Sequence, residues 1–256
     1  MWIKELPHDY LKKGSGAIYF NGLWNEGNVY VMDNHRVAAW CWLQSCSALQ
    51  SYNFLHIDQH SDLLLDGIPN AWETYKRILN YPTLSLDDYL ELRHPYSNFY
   101  AFRWDNYIRP MHKLFPHWFE QSYFAYTKTF DIKDHDKKCQ SDEYKGFNGL
   151  ANCLSNEELL ELLSNIASDR TRKWIINLDI DYFFSQQIHC EGENLVSEFG
   201  QLLNECLRNA QVLTIALSPS CCRNNRSNIS GWRNSIRVFN HIKEHVASLS
   251  NCEFSL

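Results

Sequence analysis

Asn53-Phe54-Leu55-His56-Ile57-Asp58-Gln59-His60-Ser61-Asp62 is a short apolar run that ends in a carboxylate, an imidazole and a second carboxylate at alternate positions. Alternate side chains of an extended segment share a face, so Asp58, His60 and Asp62 converge at the end of a buried strand if the chain stays near-extended there. Two other stretches repeat the arrangement. Val29-Tyr30-Val31-Met32 runs into Asp33-Asn34-His35, and Trp174-Ile175-Ile176-Asn177-Leu178 runs into Asp179-Ile180-Asp181. Each reads as a strand covered on both faces, with its chemistry at the carboxyl end. Open α/β sheets bind ligands in the crevice beyond those ends, so the three tips are expected to form one site.

Helical spacing of apolar residues surrounds these strands. It predicts a helix over Val37 to Leu49, another opened by Ser155 with Glu157 and Glu158, a third over Leu195 to Leu207 and a closing one over Gly231 to Leu249. Shorter helices are expected at Trp72 to Leu79, Leu86 to Leu92 and Trp104 to Phe115. Further strands are expected at Ala17 to Phe20, Gln121 to Thr129 and Val212 to Leu217, and Phe130 to Asn152 reads as a polar loop. The alternation of β and α predicts an α/β fold, a three-layer α/β/α arrangement around a mostly parallel sheet. No Gly/Ser/Pro-rich linker or charge block divides the 256 residues, which read as a single domain, 1–256.

A 45% hydrophobic content supports a substantial core. The net charge of -6, with no Lys/Arg-rich run, disfavours nucleic acid and is compatible with a cationic small molecule or an Arg-containing peptide. Nine cysteines show no CxxC spacing, and Cys221 and Cys222 are adjacent. With no apolar N-terminal segment and no apolar run of membrane-spanning length, the expectation is a reduced, cytoplasmic protein with no membrane partner.

His35, Asp58, His60, Asp62, Asp179 and Asp181 make a ligand set of four carboxylates and two imidazoles, suited to two hard or borderline divalent ions such as Mn²⁺. Four carboxylates meeting at strand ends repel one another, and cations relieve that repulsion. Each piece also has a purely structural reading. An Asp-x-Asp caps many strand ends, and Asp33 or Asn34 could cap a helix that begins at His35.

The three motifs together resemble the ureohydrolase superfamily: arginases, agmatinases and, more distantly, the deacetylase-like hydrolases. The resemblance runs from about Val29 to Asp181 and includes the last strand. It implies the arginase/deacetylase-like fold and two Mn²⁺ ions, one on His35 and Asp62, the other on His60 and Asp181, bridged by Asp58 and Asp179. Arginases carry an Asn, used for the free amino acid's carboxylate, where this chain has Leu64, and a Glu near the position of Ala216. An apolar Leu64 cannot hydrogen-bond a carboxylate, which speaks against free arginine.

Asp33-Asn34-His35, Trp104-Asp105-Asn106-Tyr107-Ile108 and Leu178 to Phe184 look like the peptide arginase branch, which converts arginine side chains of ribosomally made precursor peptides to ornithine. The implied reaction is metal-assisted hydrolysis releasing urea. Asp62 is the candidate for taking the nucleophile's proton, and His94, with His56 behind it, for protonating the leaving amine. Glu26, Asp33, Asp66 and Glu73 are candidate guanidinium acceptors, and Tyr182, Phe183 and Trp104 candidate channel walls. A one-metal amide hydrolase, a hydrolase of another guanidino compound, a dinuclear phosphoesterase and a non-catalytic binding module are the alternatives. Oligomeric state is left open by the sequence.

Overall fold

β3 (Val29–Met32), β4 (Asn53–Asp58) and β7 (Trp174–Asp179) are buried at every position, as near-continuous apolar strands must be when helices cover both faces. The computed structural model describes residues 1–13, 20–64, 83–94, 98–126, 147, 152–184, 192–222 and 231–254. With β1 (Trp2–Lys4), β2 (Leu23–Glu26), β5 (Ser122–Tyr126), β6 (Asn152–Leu154) and β8 (Ala210–Ala216) they form an eight-stranded sheet, in the order β1-β2-β3-β8-β7-β4-β5-β6. From β3 to β6 all neighbours are parallel, whereas β1 and β2 add an antiparallel margin.

Helices α1 (Ala38–Ser45), α2 (Leu86–Glu91) and α3 (Ile108–Leu114) cover one face of the sheet, where they meet Met32, Phe54, Ile175 and Val212. Helices α4 (Asn156–Ser168), α5 (Gly192–Cys206) and α6 (Gly231–Lys243) cover the other, against Val31, Leu55, Ile176 and Leu213. Successive strand residues go to opposite cores, which is the pleat expressed as two apolar layers. The α/β class and the mostly parallel sheet are those expected from the sequence.

Local chemistry sets the boundaries. Ser155 Oγ accepts from the Glu158 amide at 3.3 Å while Glu158 returns a carboxylate to the Ser155 amide at 2.7 Å, a reciprocal cap that opens α4 where predicted. By contrast α1 stops at Ser45, short of the predicted Leu49, because the chain turns and the Ser47 amide donates to Tyr52 Oη at 2.9 Å; Leu49 is exposed. The helix expected from Trp104 begins only at Ile108, after a turn in which Asn106 Oδ1 accepts from the Arg103 amide at 2.8 Å. The closing helix ends at Lys243, and a short 3-10 turn, Ala247–Leu249, follows.

β2 was not foreseen. Glu26 pairs with Val29, leaving Gly27-Asn28 as a two-residue hairpin loop in which Gly27 has φ +60, a backbone that a residue with a Cβ adopts at a cost. Phe20 carries no strand, and the rest of the strand expected at Ala17, like the helix expected at Trp72 to Leu79, lies outside the described residues. Among the described residues no helix is long and apolar enough to cross a membrane.

Candidate metal centre

β3, β8, β7 and β4 are consecutive neighbours in the sheet, so their carboxyl ends open onto one crevice. His35 follows β3 in a 3-10 turn fixed by Asn34, whose Oδ1 accepts from the Arg36 amide at 3.0 Å. The capping reading of Asp-Asn-His is therefore correct for Asn34, and the cap is what aims His35. Asp58 and Asp179 are the last residues of β4 and β7. Asp179 Oδ1 accepts from the Asp181 amide at 2.9 Å, a local turn that brings the second carboxylate of Asp-x-Asp back over the strand end.

Beyond Asp58 the chain does not stay extended. Asp62 has φ +51, a left-handed conformation that Asp tolerates better than most residues, and this turn rather than strand alternation brings it in. The six predicted ligands nevertheless come together. His35 Nδ1 lies 2.9 Å from Asp62 Oδ2, 3.3 Å from Asp58 Oδ2 and 3.4 Å from Asp179 Oδ2. His60 Nδ1 lies 3.1 Å from Asp181 Oδ2 and 3.3 Å from Asp58 Oδ1. Asp58 thus turns one oxygen toward each imidazole. All but Asp58 line a pocket of roughly 210 Å³ whose other walls are Asn34, Trp104, Ser218, Ser220 and Cys221.

The electrostatics favour a cation. Burial, and then the neighbouring carboxylates, push the Asp58 carboxyl well above its ordinary range, and burial with Asp181 pushes Asp179 to about 7. Burial works against protonation of His35, but Asp179 and Asp62 outweigh it and hold the ring at about 9. Asp181 raises the His60 ring as well. Buried Asp58 Oδ2 and Asp181 Oδ2 make no hydrogen bond. Carboxyl oxygens withdrawn from water without hydrogen-bond donors are what a metal ion satisfies, and the carboxylate and imidazole set suits Mn²⁺ or its neighbours.

A layer of polar side chains lies beneath the ligands. Asn177 Nδ2 donates to His56 Nδ1 and to Tyr107 Oη, both at 2.9 Å, and its Oδ1 accepts from Thr214 Oγ1 at 2.7 Å. Trp42 Nε1 donates to Thr214 Oγ1 at 3.3 Å. Accepting at Nδ1 leaves the His56 proton on Nε2, which faces Asp58 Oδ2 at 3.5 Å, and burial holds the ring neutral. His56 therefore faces the Asp58 carboxyl from below, with its ring held by Asn177. Its position two residues before Asp58 on one strand carried that signal in the sequence.

Other candidates lie elsewhere. His94 is buried and does not line this pocket. Glu26 pairs with Val29, at the end of β3 remote from His35, where its carboxylate accepts from Asn251 at 3.3 Å. Asp33 is 1% exposed, its Oδ2 accepts from Asn34, and it does not line this pocket. Tyr182 and Phe183 belong to the core, with Tyr182 Oη donating to Asn156 Oδ1 at 2.6 Å, while Trp104 does line the pocket. Glu73 and Asp66 lie outside the described residues.

The loop after β8 was missed as a contributor. Ser218, at φ +39, donates its Oγ to Asp179 Oδ2 at 2.5 Å, and Ser220 and Cys221 reach the pocket behind it. The Ser-Pro that ends β8 was the available signal. No protein-family model matches the chain, and no curated protein matches it.

Proposed function

We propose that this chain is a ureohydrolase-like enzyme of the peptide arginase kind: a dinuclear-manganese hydrolase that converts arginine side chains within a peptide to ornithine and releases urea. The observation that carries the reading is the position of Asp58, one oxygen toward His35 and the other toward His60, in a cluster completed by Asp62, Asp179 and Asp181. A carboxylate so placed would contribute an oxygen to each of two cations. His35, Asp62 and Asp179 would complete one position, and His60 and Asp181 the other. When bound, the metal pair lowers the pKa of water enough to make it a nucleophile at neutral pH.

The chain's own residues supply the rest. Asp62 lines the pocket and is placed to take the proton of the attacking water. Trp104 offers an indole face on which a guanidinium stacks, an interaction worth about 0.5–2 kcal/mol depending on exposure. This aromatic wall takes over the recognition that Glu26 and Asp33 are not positioned to provide. The Leu64 amide donates to Asp105 O at 3.0 Å, which joins its segment to that of Trp104, and the two side chains are 51% and 47% exposed. Two large exposed apolar groups on adjoining segments suit the flanking residues of a peptide better than the charged α-carbon of free arginine.

The test is mass spectrometry of varied Arg-containing peptides incubated with Mn²⁺ and the protein, with urea assayed in parallel. Ornithine formation in a peptide, with free arginine and agmatine inert, is expected. Metal-loaded protein that leaves every arginine intact but cleaves acyl-lysine amides would replace this reading with the amide-hydrolase one.

A further inference from the structure

The turn Ser218-Pro219-Ser220-Cys221-Cys222 presents two thiols in opposite directions. Its geometry is set by Ser218, whose amide donates to Asp33 O at 3.1 Å and whose carbonyl accepts from the amides of Cys221 at 2.9 Å and Cys222 at 3.3 Å. Cys222 turns inward, fully buried, with its Sγ donating to Leu217 O at 3.4 Å. Cys221 is exposed and lines the metal pocket. The Cys221 sulfur and one donor atom each of His60 and Asp181 all lie within 4.8 Å of one another.

A cysteine near carboxylates is by itself unremarkable, but Asp181 adds an independent observation. The residue is completely buried; its Oδ1 accepts from the Gln59 amide at 3.1 Å, while its Oδ2 makes no hydrogen bond. His60 Nδ1 is 3.1 Å from that oxygen, an ion-pair distance without the alignment of a hydrogen bond. A buried carboxyl oxygen without a hydrogen bond therefore shares one spot with the imidazole and the thiol. Donors around one tetrahedral ion, with bonds of about 2.0–2.3 Å, lie roughly 3.3–3.8 Å apart, so this trio closes on a cation by side-chain adjustment alone.

We propose that Cys221 is a thiolate ligand of the cation held by His60 and Asp181, so that the two metal positions are chemically unlike. The proposal rests on the dinuclear reading above. The position built from His35, Asp58, Asp62 and Asp179 offers oxygens and one imidazole and suits Mn²⁺. The position with sulfur is softer and selects Zn²⁺, Fe²⁺ or Co²⁺ over Mn²⁺. On binding, the thiol proton passes to solvent and the sulfur lone pair to the metal; no electron is transferred and no covalent partner is needed.

The full chain loaded with Co²⁺ tests this, by metal analysis and by near-ultraviolet absorption for the sulfur-to-cobalt charge-transfer band. Two cobalt ions per chain and a band present in the parent and in Cys222→Ser, but lost in Cys221→Ser, is the expected result. Cys221→Ser should also bind Zn²⁺ at one position about tenfold or more weakly while still taking up two Mn²⁺ ions. Two cobalt ions with no band, or a band that survives Cys221→Ser, would overturn the thiolate ligand and leave the dinuclear reading standing. One cobalt ion with the band would do the reverse, and no bound metal would remove both. Should Cys221→Ser fail to fold, alkylation of the parent protein decides the matter: Zn²⁺ must protect Cys221 from iodoacetamide, and equal labelling with and without metal overturns the proposal.

Discussion

Replacing Asn177 by Leu, close in volume but without polar atoms, separates the buried network from the packing around it. Asn177 is fully buried and makes three side-chain hydrogen bonds, to His56, Tyr107 and Thr214. Thr214 has a second acceptor, Ile176 O at 3.4 Å, and can redirect its hydroxyl there. The change therefore strands two groups, His56 Nδ1 and Tyr107 Oη. Each buried polar group left without a partner costs about 1–3 kcal/mol, so the expected loss of unfolding free energy is about 3 kcal/mol in cation-free protein. A second effect follows from the His56 tautomer. With Nδ1 released, nothing holds the Nε2 proton toward Asp58, and metal affinity should fall about 10- to 100-fold, the usual consequence of losing a group that orients a ligand. Denaturant titration measures the first effect, and competition with a metal-sensitive dye the second. A stability loss under about 1 kcal/mol, or metal affinity unchanged in a folded Asn177→Leu protein, would refute the claim that this network positions Asp58.

Three other predictions concern the site itself. Without cations, folding raises Asp179 to about 7 and His35 to about 9. Both groups hold their protons more tightly when folded, so their stabilisation is complete below the unfolded values, about 4 and 6.5, and is lost as pH rises through about 7 and about 9. His56, buried and neutral, acts in the opposite sense below about 6.5, so the denaturation midpoint of cation-free protein should fall from about pH 6.5 to about 9, and saturating Mn²⁺ should restore it at the alkaline end; a midpoint rising with pH over that range would contradict the cluster. Asp181→Asn should keep the fold, because an amide oxygen still accepts from Gln59, but reduce bound metal from two ions per chain to one by elemental analysis. Trp104→Ala should raise KM for Arg-containing peptides about tenfold with kcat little changed, as expected for lost stacking on a half-exposed indole; an unchanged KM would remove Trp104 from recognition.

The strands that carry the Asp/His cluster were legible because burial on both faces forces an unbroken apolar run, and the polar residues that follow such a run stand out. Asp58 and Asp179 could be placed at strand tips from that pattern alone. Asp62 joins the cluster for another reason than the sequence suggested: alternation would have aimed it, but a left-handed turn does so. What escaped the sequence depends on pairing between distant segments. Nothing local in Leu23 to Glu26 announces a strand, which exists because Gly27 folds it onto β3. Likewise Glu26 and Asp33 are close to ligands along the chain yet remote or buried in space, and Cys221 is distant in sequence yet faces His60. The support that Asn177 gives His56 required knowing that β7 and β4 are neighbours with those two residues in register.

Among the described residues, three other than glycine have left-handed backbone, and two of them, Asp62 and Ser218, are pocket residues. Such a conformation costs a residue with a Cβ on the order of 1 kcal/mol or more, less for Asp. The buried bond from Ser218 to Asp179 and the contact of Asp62 with His35 offset that cost, so glycine at either position relieves the backbone only by losing the contact. A laboratory screen for thermotolerant variants run without selecting for turnover is therefore expected to leave both residues in place, their chemistry and the fold's stability being bound to the same two turns.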